Sequence, residues 1–245
     1  MLGVSWNAHE ITVSIPSSPL WASNALKTAI SDWEAAQRWF IESYFPDQTN
    51  AQFTFVPTTN GTHLQVKIEY VTDEGQYWTG NTEVPVSGPV TNETVLLVLS
   101  RLPAPGDVTQ VTLHELGHVL GLDHTAYSQD LMYPAMDAYS GGEPVEPSTV
   151  NLYGVYMLGE GCDFSAGQAA VMPPWIPYLE WSPGIQQASV NPHSTSSTNP
   201  CSAQVPFWNQ PWFTFPALVG LITAIAVIIN FRRKKTLKPT KSVPY

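Results

Sequence analysis

The chain is short of positive charge. Its 245 residues include ten Lys and Arg against twenty Asp and Glu, a formal net charge of −10. Six of the ten cations lie between Arg232 and Lys241, which leaves only Lys27, Arg38, Lys67 and Arg101 before them, and every acidic residue lies at or before Glu180. A body this poor in cations cannot displace the counterions of a phosphate backbone, so nucleic acid is excluded as its partner. Cysteine is scarce too: Cys162 and Cys201 are the only two. They could form one bridge, and free thiols are the alternative. The first ten residues, MLGVSWNAHE, lack a basic stretch followed by an apolar run of about 7–15 residues, so no secretory leader is visible. No internal repeat is present either.

One long apolar run is present. Residues 212–231, WFTFPALVGLITAIAVIINF, carry no charge, and Asn230 is their only strongly polar side chain. Twenty residues of helix cover ~30 Å, the thickness of a bilayer's hydrocarbon core. Trp208 and Trp212 stand where an interfacial aromatic belt would, and Arg232 to Lys235 follow as a basic stop. The segment is therefore expected to be a single membrane-spanning helix, with a buried helix of a soluble domain as the alternative. The positive-inside rule puts residues 232–245 in the cytoplasm as a basic tail, and everything before Trp212 outside the cell. A tail-anchored protein with a cytosolic body would need no leader and is the competing orientation. The cysteine pair and the sequons Asn60-Gly-Thr62 and Asn92-Glu-Thr94 lean weakly towards the outside.

Before that run the chain changes character once. Up to about residue 160 it alternates strand and helix patterns. Ile11, Val13 and Ile15 alternate with polar residues and predict a strand over His9 to Pro16, and Ala51 to Pro57 and His63 to Val71 predict two more. Between the first two lies a helix with a broad stripe of Leu26, Ile30, Trp33, Ala36, Gln37, Phe40, Ile41 and Tyr44, capped by Ser23 or Asn24 and ended by Pro46. Asp73 to Thr91 is rich in Gly, Thr, Pro and Asn and is expected to be a long loop, or an irregular edge strand around Tyr77 and Trp78. Thr94 to Ser100 is a near-continuous apolar run, suited to a strand buried on both faces. A helix should open near Asp107, with Gln110 completing a capping box, and run to about Leu120, with Gly121 just past its end. A last helix is expected after Ser148. The pattern predicts an α/β domain over residues 1–160 with a mainly parallel, mixed sheet. Residues 161–211 are rich in Pro, Ser and Asn and are expected to form a partly ordered stalk.

The chemistry concentrates in residues 114–124, HELGHVLGLDH, which hold three of the six histidines. His114 and His118 are four apart on the expected helix, so both stand on one face and can reach one zinc at ~2.0–2.1 Å. Gly121 permits a sharp turn that brings His124 back as third ligand. Three neutral imidazoles leave a fourth position for water, the mark of a catalytic site. Glu115, one step round the helix, can face the open side without binding the metal and act as general base for hydrolysis of a peptide bond. The pattern H-E-x-x-H-x-x-G-x-x-H fixes five positions, and a chance match in a chain of this length is on the order of one in 10⁵ or rarer.

This stretch, followed eight residues later by Met132, Tyr133 and Pro134, resembles the zinc motif and Met-turn of the metzincin metallopeptidases. Within them it is most similar to the matrixins, whose turn commonly reads Leu-Met-Tyr-Pro, here Leu131 to Pro134. The resemblance implies a twisted mixed sheet with a long backing helix, an active-site helix, and a small lower part ending in a helix. It implies one catalytic zinc, protein or peptide substrates, Met132 as a floor beneath the ligands, and Tyr133, Pro134 and Met136 near the pocket for the side chain after the cut bond. By the same analogy, the region from Gly75 to Val86 supplies a sheet edge for substrate. Matrixins often have Tyr where this chain has Met136. No cysteine-switch propeptide is visible. His9, His63 and His193 do not form the structural zinc cluster of the family, and calcium, which scattered carboxylates could hold, has no EF-hand-like spacing behind it. The leading expectation is a membrane-anchored zinc endopeptidase. The competing one is a membrane-tethered binding or adhesion module that keeps zinc and no longer cleaves.

Overall fold

The computed structural model describes residues 1–59, 63–70, 78–85, 89–134, 145–185 and 201. Met136, His193, the Asn60 sequon and the expected spanning helix and basic tail lie outside them. No helix among the described residues is long and apolar enough to cross a membrane.

A five-stranded sheet and three helices carry the domain. The strands are β1 (Ser5–Trp6), β2 (Glu10–Ser14), β3 (Thr54–Pro57), β4 (Leu64–Glu69), β5 (Gly80–Glu83), β6 (Pro89–Val90) and β7 (Glu93–Val98). The helices are α1 (Leu20–Tyr44), α2 (Pro105–Val119) and α3 (Thr149–Gly159). In the main sheet the order is β3-β2-β4-β7-β5; the first four strands run parallel, and β5 pairs antiparallel with β7 at the edge. β1 and β6 form a separate short parallel pair, which the sequence pattern did not suggest. The alternation read in the sequence is visible as burial. Ile11 and Val13 of β2, Leu64 and Val66 of β4, and Val95 and Leu97 of β7 are all buried. β7 alternates between buried and half-buried positions rather than being closed equally on both faces.

The N-cap of α1 is Pro19, four to five residues before the expected Ser23 or Asn24, and it makes no side-chain cap bond. Ser23 lies inside the helix and is buried. The expected apolar stripe is the buried face, and it holds one polar exception with a clear cause. Gln37 accepts from the Phe53 backbone N–H at 3.0 Å and donates to the Phe53 carbonyl at 3.3 Å, serving as the hydrogen-bond partner of a chain segment that has not yet entered β3. Trp33 is fully buried, and its indole N–H donates to the Leu113 carbonyl at 2.9 Å, locking α1 against α2. Burying an aliphatic or Phe side chain such as Phe40 is worth roughly 1.5–3 kcal/mol, so this face stabilises far more than local helix propensity does.

α2 begins at Pro105, which suits a first-turn position because its missing N–H would have no partner there. Asp107 is not the N-cap but the third residue of the helix. Its carboxylate reaches back to accept from the Ala104 N–H at 3.0 Å. α3 is capped by Ser148, whose Oγ accepts from the Asn151 N–H at 3.3 Å while Asn151 Oδ1 accepts from the Ser148 N–H at 3.0 Å.

The packed unit continues past residue 160, where the change in composition places its boundary. Phe164, Ile176 and Trp181 are buried against the same core as Tyr153 and Tyr156, and Trp175 packs against Phe45. The scattered aromatics in a Pro-rich stretch are packing residues here. Cys162 is bonded to Cys201, with sulfur atoms 2.08 Å apart.

Candidate metal centre

α2 delivers His114, Glu115 and His118, and the chain beyond it folds back sharply. Gly121 has φ +90°, a left-handed conformation that suits glycine. A Cβ there would also meet the Val4 carbonyl at 2.9 Å. The turn returns His124 to the helix. Its Nε2 lies 3.2 Å from His114 Nε2 and 3.1 Å from His118 Nε2. The three ligand atoms form the one such cluster among the described residues.

The other ring nitrogens settle what meets at that point. His114 Nδ1 lies 2.8 Å from the Leu131 carbonyl, and His118 Nδ1 lies 2.8 Å from the Leu122 carbonyl. A carbonyl can only accept, so both Nδ1 atoms carry the proton and both Nε2 atoms bring bare lone pairs to the centre. Burial lowers the pKa of all three rings; in His118, where the neighbouring His114 adds to burial, it falls to about 3. Neutral imidazoles with converging lone pairs repel one another unless a cation stands between them. A tetrahedral zinc with nitrogen ligands at ~2.0–2.1 Å sets them about 3.3 Å apart, close to the spacing found here. The residues present therefore fit a zinc ion.

Met132 is buried, 1 % exposed. A Cβ added at Gly117, between His114 and His118 in sequence, would meet the Met132 sulfur at 2.3 Å, so the close packing of Met132 against α2 depends on a residue without a side chain. Asp130, which the sequence gave no reason to single out, holds the turn in place. Its carboxylate accepts from the Met132 N–H at 2.9 Å, from Ser148 Oγ at 3.0 Å and from Asn151 Nδ2 at 3.0 Å. The start of α3 is thereby bound to the turn whose Leu131 carbonyl orients His114.

Glu115 is 5 % exposed and points to the edge strand. Thr82 Oγ1 donates to Glu115 Oε2 at 2.6 Å. Burial pushes the Glu115 carboxyl up to about 7, against the lowering effect of the Thr82 bond. Thr82 was also missed from the sequence, because Gly80–Glu83 shows neither a hydrophobic pattern nor a motif. A cleft of about 720 Å³ opens over this group. It is lined by Gly80, Asn81 and Thr82 of β5, by Tyr133 and Pro134, and by Gln110 and Val111 of α2 as well as the site residues. His63, outside the site, accepts from the Thr12 N–H through Nδ1 and serves the sheet.

Comparison with known proteins agrees with this arrangement. The family model described as matrixin matches residues 46–158, a span that holds β3 to β7, the whole of α2 with its histidines, the Met-turn and nearly all of α3. No curated protein matches the chain. Residues 46–158 are thus similar to the matrixin family of zinc metallopeptidases, and the match supports a metzincin-like, matrixin-family catalytic domain over that span.

Proposed function

We propose that the protein is a zinc-dependent endopeptidase, held at a membrane by residues 212–231 with its catalytic domain outside the cell. The observation that carries the peptidase reading is the meeting of three imidazole Nε2 atoms beside a buried carboxyl, in a cleft open to a sheet edge. The zinc, when bound by His114, His118 and His124, supplies a Lewis acid for the substrate carbonyl and lowers the pKa of a water to about 7. The chain's own residues do the rest. With its carboxyl raised to about 7, Glu115 has both protonation states accessible near neutral pH: the ionised form takes a proton from the attacking water, and the protonated form passes it to the leaving amine. Thr82 fixes Glu115 Oε2, which leaves Oε1 as the atom that carries the proton. Among the described residues β5 has a strand partner on one side only, and its other side can pair with an extended peptide laid along the cleft.

The test is Glu115→Gln. The purified variant should keep one zinc per chain by metal assay, and its chelator-sensitive cleavage of a mixed peptide library should fall at least about a hundredfold. A variant that cuts as fast as the wild type removes Glu115 from the mechanism. The membrane part rests on the apolar run and its basic flank. Protease added to intact cells should remove the catalytic domain; full protection would place it in the cytosol.

A further inference from the structure

Two tyrosines stand together at the surface, outside the lining of the catalytic cleft. Tyr127 is 53 % exposed and Tyr178 44 %, and their rings meet edge to face with centroids 6.1 Å apart. Both stand on pinned backbone. The Tyr127 carbonyl accepts from the Asp130 N–H at 3.1 Å, which closes a tight turn. Tyr178 sits between Pro177, whose carbonyl accepts from Thr149 Oγ1 at 2.8 Å, and Leu179, whose N–H donates to the same oxygen at 3.0 Å. Large rings on a fixed backbone are costly to leave in water, and they lose little freedom when a partner covers them. Tyr178 lies beyond residue 158, where the matrixin match ends, so the likeness to that family does not account for the pair.

The charge around the rings limits what that partner can be. Glu180 is exposed two residues after Tyr178. Partial burial, then the charges of Asp130 and Glu180 and the neighbouring Tyr127, push the Tyr178 phenol up to about 12. The potential at the rings is therefore negative. Their π faces add to it, since they attract a cation within about 6 Å of the ring centre. An acidic partner would be repelled. A purely apolar partner would strip water from Glu180 without supplying a counter-charge. A cation meets both requirements. Tyr127 also lies between His124 and Tyr133 in the chain, and both of those line the cleft, so the patch belongs to a loop that borders it.

We propose that Tyr127, Tyr178 and Glu180 form an exosite that holds a Lys or Arg side chain of the polypeptide being cut, away from the bond that breaks. This rests on the peptidase reading for the identity of the substrate as a polypeptide. Such a contact is made equally in the ground and transition states, so it lowers KM and leaves kcat unchanged. It differs from a general attraction of cations to an acidic body, because it acts at one place and needs the rings as well as the charge.

The experiment uses the full chain, zinc-loaded, and one cleavable peptide extended at either end by Gly-Ser spacers of graded length. Each spacer finishes in Arg or in citrulline, its uncharged isostere. At one end, and over one range of spacer lengths, the wild type should prefer Arg about fivefold in kcat/KM, all of it in KM, the order of one exposed cation–π contact. Tyr178→Phe loses the hydroxyl and keeps the ring, so it should retain the preference. Tyr127→Leu and Tyr178→Leu should each reduce it to about twofold or less, and Glu180→Lys should reverse it. Every variant should cut the unextended peptide at the wild-type rate, and thermal melting shows that each is folded. A preference equal at both ends and all lengths reduces the effect to net charge and overturns the inference. So does a preference that survives both leucine substitutions, or none at any length. The same peptides titrated by fluorescence anisotropy against Glu115→Gln give the ranking without turnover. Arg bound over citrulline, with the difference lost in the leucine variants but no cleavage, keeps the patch and removes the peptidase reading. Cleavage without the ranking does the reverse.

Discussion

Glu93 makes the strongest case for a measurable cost built into the fold. It opens β7 with its carboxyl towards the core, 4 % exposed, and neither carboxyl oxygen has a hydrogen-bond partner. Burial pushes its pKa from 4.5 up to about 8. A carboxyl raised in this way holds its proton more tightly in the folded chain than in the unfolded one. Below pH 4.5 both states are protonated and it costs nothing through ionisation. Between 4.5 and about 8 the unfolded chain ionises first, so stability falls as pH rises; above about 8 both states are ionised and the loss stays constant. At ~1.4 kcal/mol per pH unit the full interval amounts to roughly 5 kcal/mol, of which roughly 3 kcal/mol is already lost at pH 7. Glu93→Gln keeps the shape and removes the ionisation. Urea unfolding of the two proteins should nearly coincide at pH 4.5, whereas at pH 8.5 the variant should unfold about 2 M later, taking a slope of about 2 kcal/mol per molar. An offset of the same size at both pH values, or none at pH 8.5, would refute the reasoning, since the cost would then not be one of ionisation.

Three further outcomes follow from particular contacts. Gly121→Ala places a side chain at φ +90° and against the Val4 carbonyl, which should cost about 1–3 kcal/mol and shift His124; zinc affinity by competition with a chromogenic chelator should weaken at least about tenfold. Asp130→Ala leaves the Met132 N–H, Ser148 and Asn151 without their shared acceptor, so thermal unfolding should show a loss of roughly 3–5 kcal/mol, and the conservative Asp130→Asn should recover part of it. A chain ended after residue 160 loses Phe164, Ile176 and Trp181 from the core, at roughly 1.5–3 kcal/mol each. It should fail to melt cooperatively, whereas a chain ended after residue 204 should melt as one unit; equal behaviour of the two would mean that this packing contributes little.

The parts of the fold legible in the sequence are those where one physical requirement dominates several neighbouring residues. The stripe of α1, the alternation in β2 and β4, and the Ser148 cap each follow from burial periodicity or local hydrogen bonding. The clustering of His114, His118 and His124 was legible for a similar reason: four residues apart on a helix and a glycine turn are local constraints. What was not legible depends on contacts far along the chain. Thr82 meets Glu115 across 33 positions, and Asp130 joins Asn151 across 21. Gly80–Glu83 is a strand because β7 lies beside it, not because of its own residues. Asp107 looked like a cap because its type suits that role; its side chain does bond the end of the helix, but from inside the first turn. Proline and serine suggested a stalk from residue 161 onwards, where a few well-spaced aromatics were enough to draw that segment onto the core.

The bond between Cys162 and Cys201 bears on how such an enzyme could be set loose. Residues 163–200 form a covalently closed loop, so a nick anywhere within it severs the backbone without separating the two pieces. Shedding of the catalytic domain from whatever follows Cys201 requires a cut beyond that cysteine, or a cut inside the loop together with a reductant. Proteolysis of the loop would thus leave a latent cleavage that only a change of redox conditions turns into release.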